Sequence, residues 1–243
     1  MTFSHPRACI VAIAPAALVD QRTLWEVSVW MKPLKFSFAL MIHFATLSFL
    51  AQLLAPRRRA GAVMTVFVWL AVAAAAFEIG YIIVQAARGR HSHFNYETVS
   101  ESILYGAMGV GALLLVIAPF VMGLLLATQK DGDRSGLRLG AVLGLLIAPL
   151  LTIVIAGTMS MSGSHWIGEA TSDAAGVPLF GWSREVGDYR PGHFVALHAM
   201  QILPLVGLGA DRIAPALARL AVWIFAAGQT TLSLTLFFQA RAG

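Results

Sequence analysis

Histidines at positions 43, 91, 93, 165, 193 and 198, together with a glutamate at 78, are the residues of this chain whose type and place could do chemistry. Imidazole is the commonest metal ligand and titrates near neutral pH. Ionisable groups inside an apolar span are costly, and they face a bundle interior or a water-filled cavity. His43 and His198 fall within apolar runs, each about 10 Å below the start of its helix at 1.5 Å rise per residue. Two histidines at matched depth on different helices are what axial ligation of a haem iron needs. His193 and His198 are not a pair on one face, because five residues turn a helix through about 500° and leave them roughly 140° apart. His198 and Gln201, three apart, share a face.

Glu78, Tyr81 and Gln85 are spaced by three and four and line one face of a helix. Glu78 stands in a stretch written mostly in alanine, valine and phenylalanine, so its carboxyl is expected to be protonated, paired or beside water. Arg88 or a histidine is a candidate partner. Asp188, Arg190 and His193 read as a polar mouth at the start of a later helix. His93, His165 and His193, with a carboxylate such as Glu97 or Asp188, form a second candidate set, suited to a transition metal with an open position. Met159 and Met161 beside His165 are soft donors, but they read better as packing. Gln229, Thr230 and Ser233 read as interhelical hydrogen-bonding groups, and Gly106, Gly109 and Gly111 as close helix packing.

These residues must be positioned by membrane spans. The chain of 243 residues is 58% hydrophobic and 12% charged. Soluble domains carry roughly 25% charged residues, so this chain has too few to cover a water-facing surface. Apolar runs at about 36–54, 61–87, 102–128, 137–158, 191–208 and 214–238 are each long enough to cross a bilayer. The fold class is therefore all-α: an integral membrane bundle of about six transmembrane helices over 32–243. Its loops are short, apart from a glycine-rich outer loop at about 159–190. Residues 1–31 read as an N-terminal extension, dispensable or signal-like, with an apolar stretch too short to span. Met31-Lys32-Pro33-Leu34-Lys35 is itself a typical lead into a first span. The net charge of +5 comes from basic residues in loops beside apolar runs, which serve orientation rather than nucleic acid. The single cysteine, Cys9, allows neither an intrachain disulfide nor a thiolate cluster.

Alternation of the spans puts all six of these histidines at one membrane face, whichever way the protein is inserted. The loops on one side hold Arg57, Arg58, Arg59, Lys130, Arg134, Arg138, Arg212 and Arg219. Those on the other hold Lys32, Lys35, Arg88, Arg90, Arg184, Arg190 and Arg241. The triple arginine suits the cytoplasm, and the long loop suits the outside. Both termini are then expected outside.

Two strings carry a resemblance. Gln85-Ala86-Ala87-Arg88-Gly89 followed by Ser92-His93-Phe94-Asn95 is one. Gly187-Asp188 through His193-Phe194 to Leu197-His198-Ala199-Met200-Gln201 is the other, with His165-Trp166-Ile167-Gly168 and Gly181-Trp182-Ser183 in the same pattern. Over about residues 32–240 the chain resembles a family of uncharacterised bacterial polytopic inner-membrane proteins. The resemblance implies a multi-pass membrane protein and no established activity.

Three functions stay open on the residues. One is a redox protein holding haem b between His43 and His198, with Glu78 and Gln85 serving proton or quinone traffic and a quinone or other redox partner. Another is an enzyme built on a non-haem metal at His93, His165 and His193. The third is a transporter or sensor in which histidines and Glu78 handle protons. Whether the chain is an enzyme is not decided by its sequence.

Overall fold

The computed structural model describes residues 13, 15–170 and 172–243; His5 and Cys9 lie outside them. Six long helices dominate: α1 (Met31–Leu50), α2 (Ala62–Arg88), α3 (Val99–Ala127), α4 (Gly136–Met161), α5 (Tyr189–Ile213) and α6 (Ala218–Ala242). All six are long and apolar enough to cross a membrane. The shortest, at 20 residues, reaches about 30 Å, the thickness of a bilayer's hydrocarbon core. The chain is a multi-pass, all-α membrane protein.

Local chemistry sets the helix ends. Pro33 lies in the first turn of α1, where a missing N–H costs nothing. Beyond α1, the residue before Pro56 is forced out of the helical region, and Ala55 has ψ of 141°. α2 closes at Gly89, whose φ of +66° suits glycine. The Gly89 N–H donates to the Ala86 carbonyl and the Arg90 N–H to the Gln85 carbonyl, a Schellman closure. Pro119, Pro149 and Pro204 sit inside α3, α4 and α5, which membrane helices tolerate better than soluble ones.

The chain divides into two compact units. The first comprises the described residues up to Ala45, with 69–115 and 170–184; the second comprises 46–68, 116–169 and 185–243. In the first, a two-residue hairpin pairs β1 (Thr23–Leu24) with β2 (Val27–Ser28). Trp25 and Glu26 turn it with φ of 50° and 61°, the mirror-image turn that hairpins favour. Asp20 holds it by accepting from the Arg22 guanidinium and the Trp30 indole. These bonds keep the Asp20 carboxyl well below its usual range. Ile13, Val29, Trp30 and Ala86 form one buried cluster there, and Tyr81, Ile82 and Met108 another.

The second unit is built on a close approach of α4 and α5. Gly136, Gly140 and Gly144 repeat at every fourth residue of α4, on one face. A Cβ on Gly140 would collide with the Leu203 carbonyl oxygen, and one on Gly144 would come within 2.6 Å of the Ala199 oxygen. Gly207 answers from α5, where a Cβ would collide with the Gly136 carbonyl. This is the small-residue packing that lets membrane helices approach backbone to backbone. The expected close packing at Gly106 and Gly109 is not found, since a Cβ on either meets nothing within 4 Å. The reason is position: both face away from neighbouring helices, whereas the α4 glycines face α5.

Two arginines expected only to orient the chain instead close the end of α3. Arg58 donates to the Leu125 and Thr128 carbonyls, and Arg138 to those of Leu126 and Gln129. They satisfy carbonyls that a helix C-terminus leaves unpaired, and they complement its dipole. Asp131 pairs with Arg138 at 2.7 Å. Its carboxyl falls from the ordinary 3.8 to about 2 because Arg138, and after it Gln129, donate to it.

Candidate functional site

In the first unit the end of α2 and the start of α3 hold a connected polar network. Gln85 is fully buried. Its amide nitrogen lies 3.1 Å from the Tyr81 hydroxyl, 3.1 Å from the His91 carbonyl and 3.2 Å from Glu101 Oε1. Its oxygen accepts from Arg88 at 2.8 Å. Glu101, 2% exposed, is the hub. It pairs with Arg90 through Nε and Nη2, both at 2.7 Å, and accepts from the Thr98 hydroxyl at 2.9 Å. Arg88 approaches it at 3.9 Å. Arg90 also reaches Glu97 at 2.6 Å, and Asn95 donates to the His91 carbonyl at 2.8 Å. Of the expected face of Glu78, Tyr81 and Gln85, the last two are bonded to each other, and Arg88, expected as a candidate partner of Glu78, bonds Gln85 instead.

Glu101 itself was not anticipated. The signal was Thr98-Val99-Ser100-Glu101, a capping-box spacing that extends α3 three residues before the expected Ser102. The Glu101 N–H donates to the Thr98 hydroxyl oxygen as that box requires.

About 10 Å farther along α2 from Gln85, Glu78 is 3% exposed within the span. Its Oε1 has no hydrogen-bond partner among the described residues. A Cβ on Gly111 of α3 would lie 2.7 Å from that oxygen, so the glycine leaves the room the carboxyl occupies. Lys32 acts on it electrostatically. On α1, His43 and Ser37 are also buried, and His43 Nε2 and Ser37 Oγ likewise have no hydrogen-bond partner among the described residues. His91 and His93 have aromatic surroundings. The His91 ring lies 4.2 Å from that of Trp25. His93 neighbours Phe36 at 5.6 Å and Tyr105 at 6.1 Å, with Nδ1 3.2 Å from the Ser92 hydroxyl.

In the second unit, β3 (Trp166–Ile167) pairs with β4 (Gly187–Asp188), and Gly187 packs so closely on Ala240 that a Cβ would strike its carbonyl. Asp188 caps α5 through the Arg190 N–H at 2.9 Å. It also holds the Arg190 side chain by two bonds, Nε to Oδ1 at 3.0 Å and Nη2 to Oδ2 at 2.7 Å. The guanidinium lies 5.9 Å from the Trp166 ring centre, within cation–π range. The His165 carbonyl accepts from the Tyr189 N–H at 3.0 Å. His193 Nδ1 is buried with no hydrogen-bond partner among the described residues. His198 Nδ1 is tied to the Phe194 carbonyl at 2.8 Å. Gln201 donates to Thr46 at 3.2 Å, Gln229 to the Val195 carbonyl and Ser233 to that of Gly192. Met159 packs on the core and Met161 is exposed.

Of the expected sets, His43 and His93 belong to the first unit, and His165, His193 and His198 to the second. Among the described residues no group of three His, Cys, Asp or Glu side chains is placed to hold a metal ion.

Fold and composition thus define an all-α multi-pass membrane protein with a polar network at the α2–α3 end and a buried carboxyl within α2. No family model matches the chain, and neither a curated protein nor a solved structure matches it. The resemblance of its two strings to an inner-membrane family remains an expectation.

Proposed function

We propose that this protein is a proton-coupled transporter or sensor of the bacterial inner membrane, with both termini outside and Glu78 as its proton-exchanging group. The observation that carries the reading is the unpartnered Oε1 of Glu78, buried in a span against Gly111. A carboxyl retained at such cost is the usual mark of a proton path. Gly111 supplies room beside it, and Lys32 supplies a charge that its ionisation would feel. The Arg88–Arg90–Glu97–Glu101 network holds the end of α2, and Tyr81 and Gln85 continue the polar face between it and Glu78.

The test is infrared spectroscopy of the reconstituted protein across pH. A carbonyl band from a protonated carboxyl, shifting in deuterated water and titrating with pH, is expected; it should vanish in Glu78→Gln. Loss of proton uptake by Glu78→Gln proteoliposomes should accompany it. A band unchanged by the substitution overturns the assignment.

One observation favours a second reading. His43 Nε2 is buried in a span with no hydrogen-bond partner among the described residues, as a ring nitrogen kept for a ligand would be. On this reading the protein carries haem b and passes electrons to a quinone or another redox partner. An intense Soret band, weakened by His43→Ala or His198→Ala, supports it; colourless protein from haem-replete cells removes it.

A further inference from the structure

The second unit contains a cavity of about 230 Å³ that neither proton transfer nor haem binding uses. Its lining combines the apolar Leu126, Ala127, Leu139 and Val142 with the polar Gln129, Asp133, Arg138 and Arg219. Its place is set by helix ends: α3 stops at Ala127, α4 starts at Gly136 and the last span starts at Pro215. The cavity therefore lies where apolar spans give way to charged loops, the depth of lipid headgroups.

Its two cations play different parts. Arg138 is 7% exposed and held by Asp131 and by two carbonyl oxygens. It is a fixed positive charge in the wall. Arg219 is exposed, and its one hydrogen bond among those described is a long one, 3.4 Å, to the Arg134 carbonyl. It can turn to a ligand at little cost. Asp133 is the carboxylate in the lining and lies 3.9 Å from Arg138, which Asp131 also pairs, so Arg219 is the cation left without an ion pair among the described residues. Asp133 is partly occupied, accepting from the Ser135 N–H at 2.8 Å. Lys130 and Arg134 add positive charge in the adjoining loop.

A lining that mixes apolar side chains with a guanidinium free of an ion pair among the described residues selects an amphiphile with an anionic head. We propose that this cavity binds the phosphate of an anionic phospholipid, with Arg219 as the mobile contact and Arg138 as the fixed charge. The acyl chains then run along the apolar residues of α3 and α4. Basic pockets between spans on the side of the positive loops are where such headgroups are held.

The experiment is native mass spectrometry of the full-length protein in neutral detergent, titrated separately with short-chain phosphatidylglycerol, short-chain phosphatidylcholine and inorganic phosphate. Phosphatidylglycerol adducts are expected in preference to phosphatidylcholine. Arg219→Gln should weaken them about fivefold, the effect of one basic residue near a charged lipid. Arg241→Gln, at the other end of α6, should leave them unchanged. Competition by inorganic phosphate at matched concentration would show that a free oxyanion suffices and would overturn the lipid as occupant. Equal binding of the two lipids, or an Arg219→Gln protein indistinguishable from wild type, overturns the proposal outright. Because Arg219 is exposed, its substitution leaves the fold intact, and an unchanged thermal melt checks this.

Discussion

The α2–α3 end and the α4–α5 seam solve one problem in opposite ways. At the seam, helices are joined by removing side chains: Gly140, Gly144 and Gly207 bring backbone against backbone. At the α2–α3 end they are joined by adding polar ones, with Glu101, Gln85, Arg88, Arg90 and Thr98 bonded to one another. Dispersion holds the first and needs only shape; charge and hydrogen bonding hold the second and need every partner present. The difference teaches where change can be tolerated. A seam without side chains can carry no chemistry but is rigid, whereas a polar network can respond to protons.

Substitutions at three positions break or sharpen that contrast. The largest effect is expected at the seam. Gly140→Leu drives a side chain into the Leu203 carbonyl, a backbone group that cannot step aside, and should cost about 3 kcal/mol or more. The measurement is the yield of monodisperse protein and its melting temperature; a normal melt would show that the seam is looser than its geometry. Next comes Glu101→Ala, which strands Arg90 and Gln85. Breaking a buried pair costs about 3–5 kcal/mol, but Arg90 is 30% exposed and keeps Glu97, so roughly 2–3 kcal/mol is expected. Glu101→Gln should lose less, because its oxygen still accepts from Arg90. If the two substitutions are equal in denaturation, the neutral hydrogen bond contributes nothing and charge alone is what the network uses.

The smallest effect is at Asp131. Its folded-state value of about 2 lies below the ordinary 3.8, so the ionised form is favoured by folding. That contribution is complete above 3.8 and disappears as pH falls from there through about 2. Asp131→Asn should be slightly less stable than wild type near neutrality and converge with it across that window. Parallel stability curves down to the lowest pH would place the Arg138 contact outside the folding equilibrium.

Six spans were legible in the sequence because length and apolar composition decide them, and the structure moves their limits by only a few residues. The start of α3 was misjudged because Glu101 and Thr98 look like loop residues until one sees that they cap a helix. Glu78, Tyr81 and Gln85 were legible as a face, since helical spacing alone aligns them. Glu101, the partner of Gln85, was not, because it arrives through the turn after Gly89. Arg58 and Arg138 were read only as topological charges; that they close the end of α3 depends on contacts across 67 and 12 residues of sequence. The four-residue glycine repeat of α4 was visible, but its meaning required Gly207 on another helix.

The start of α4 has a consequence for how the protein is made. Its first two amides, of Gly136 and Leu137, donate to the Asp211 carboxylate at 2.7 and 2.8 Å, and Ser135 takes the Arg138 amide. Asp211 is 75 residues downstream of Gly136. A ribosome adding about 5–20 residues per second reaches it some 4–15 s later. For that interval α4 exists as a span with its Ser135 cap but without a partner for its first two amides, and only the arrival of α5 supplies it. The two helices are thus expected to become protease-resistant together, as a single step late in synthesis, rather than one after the other.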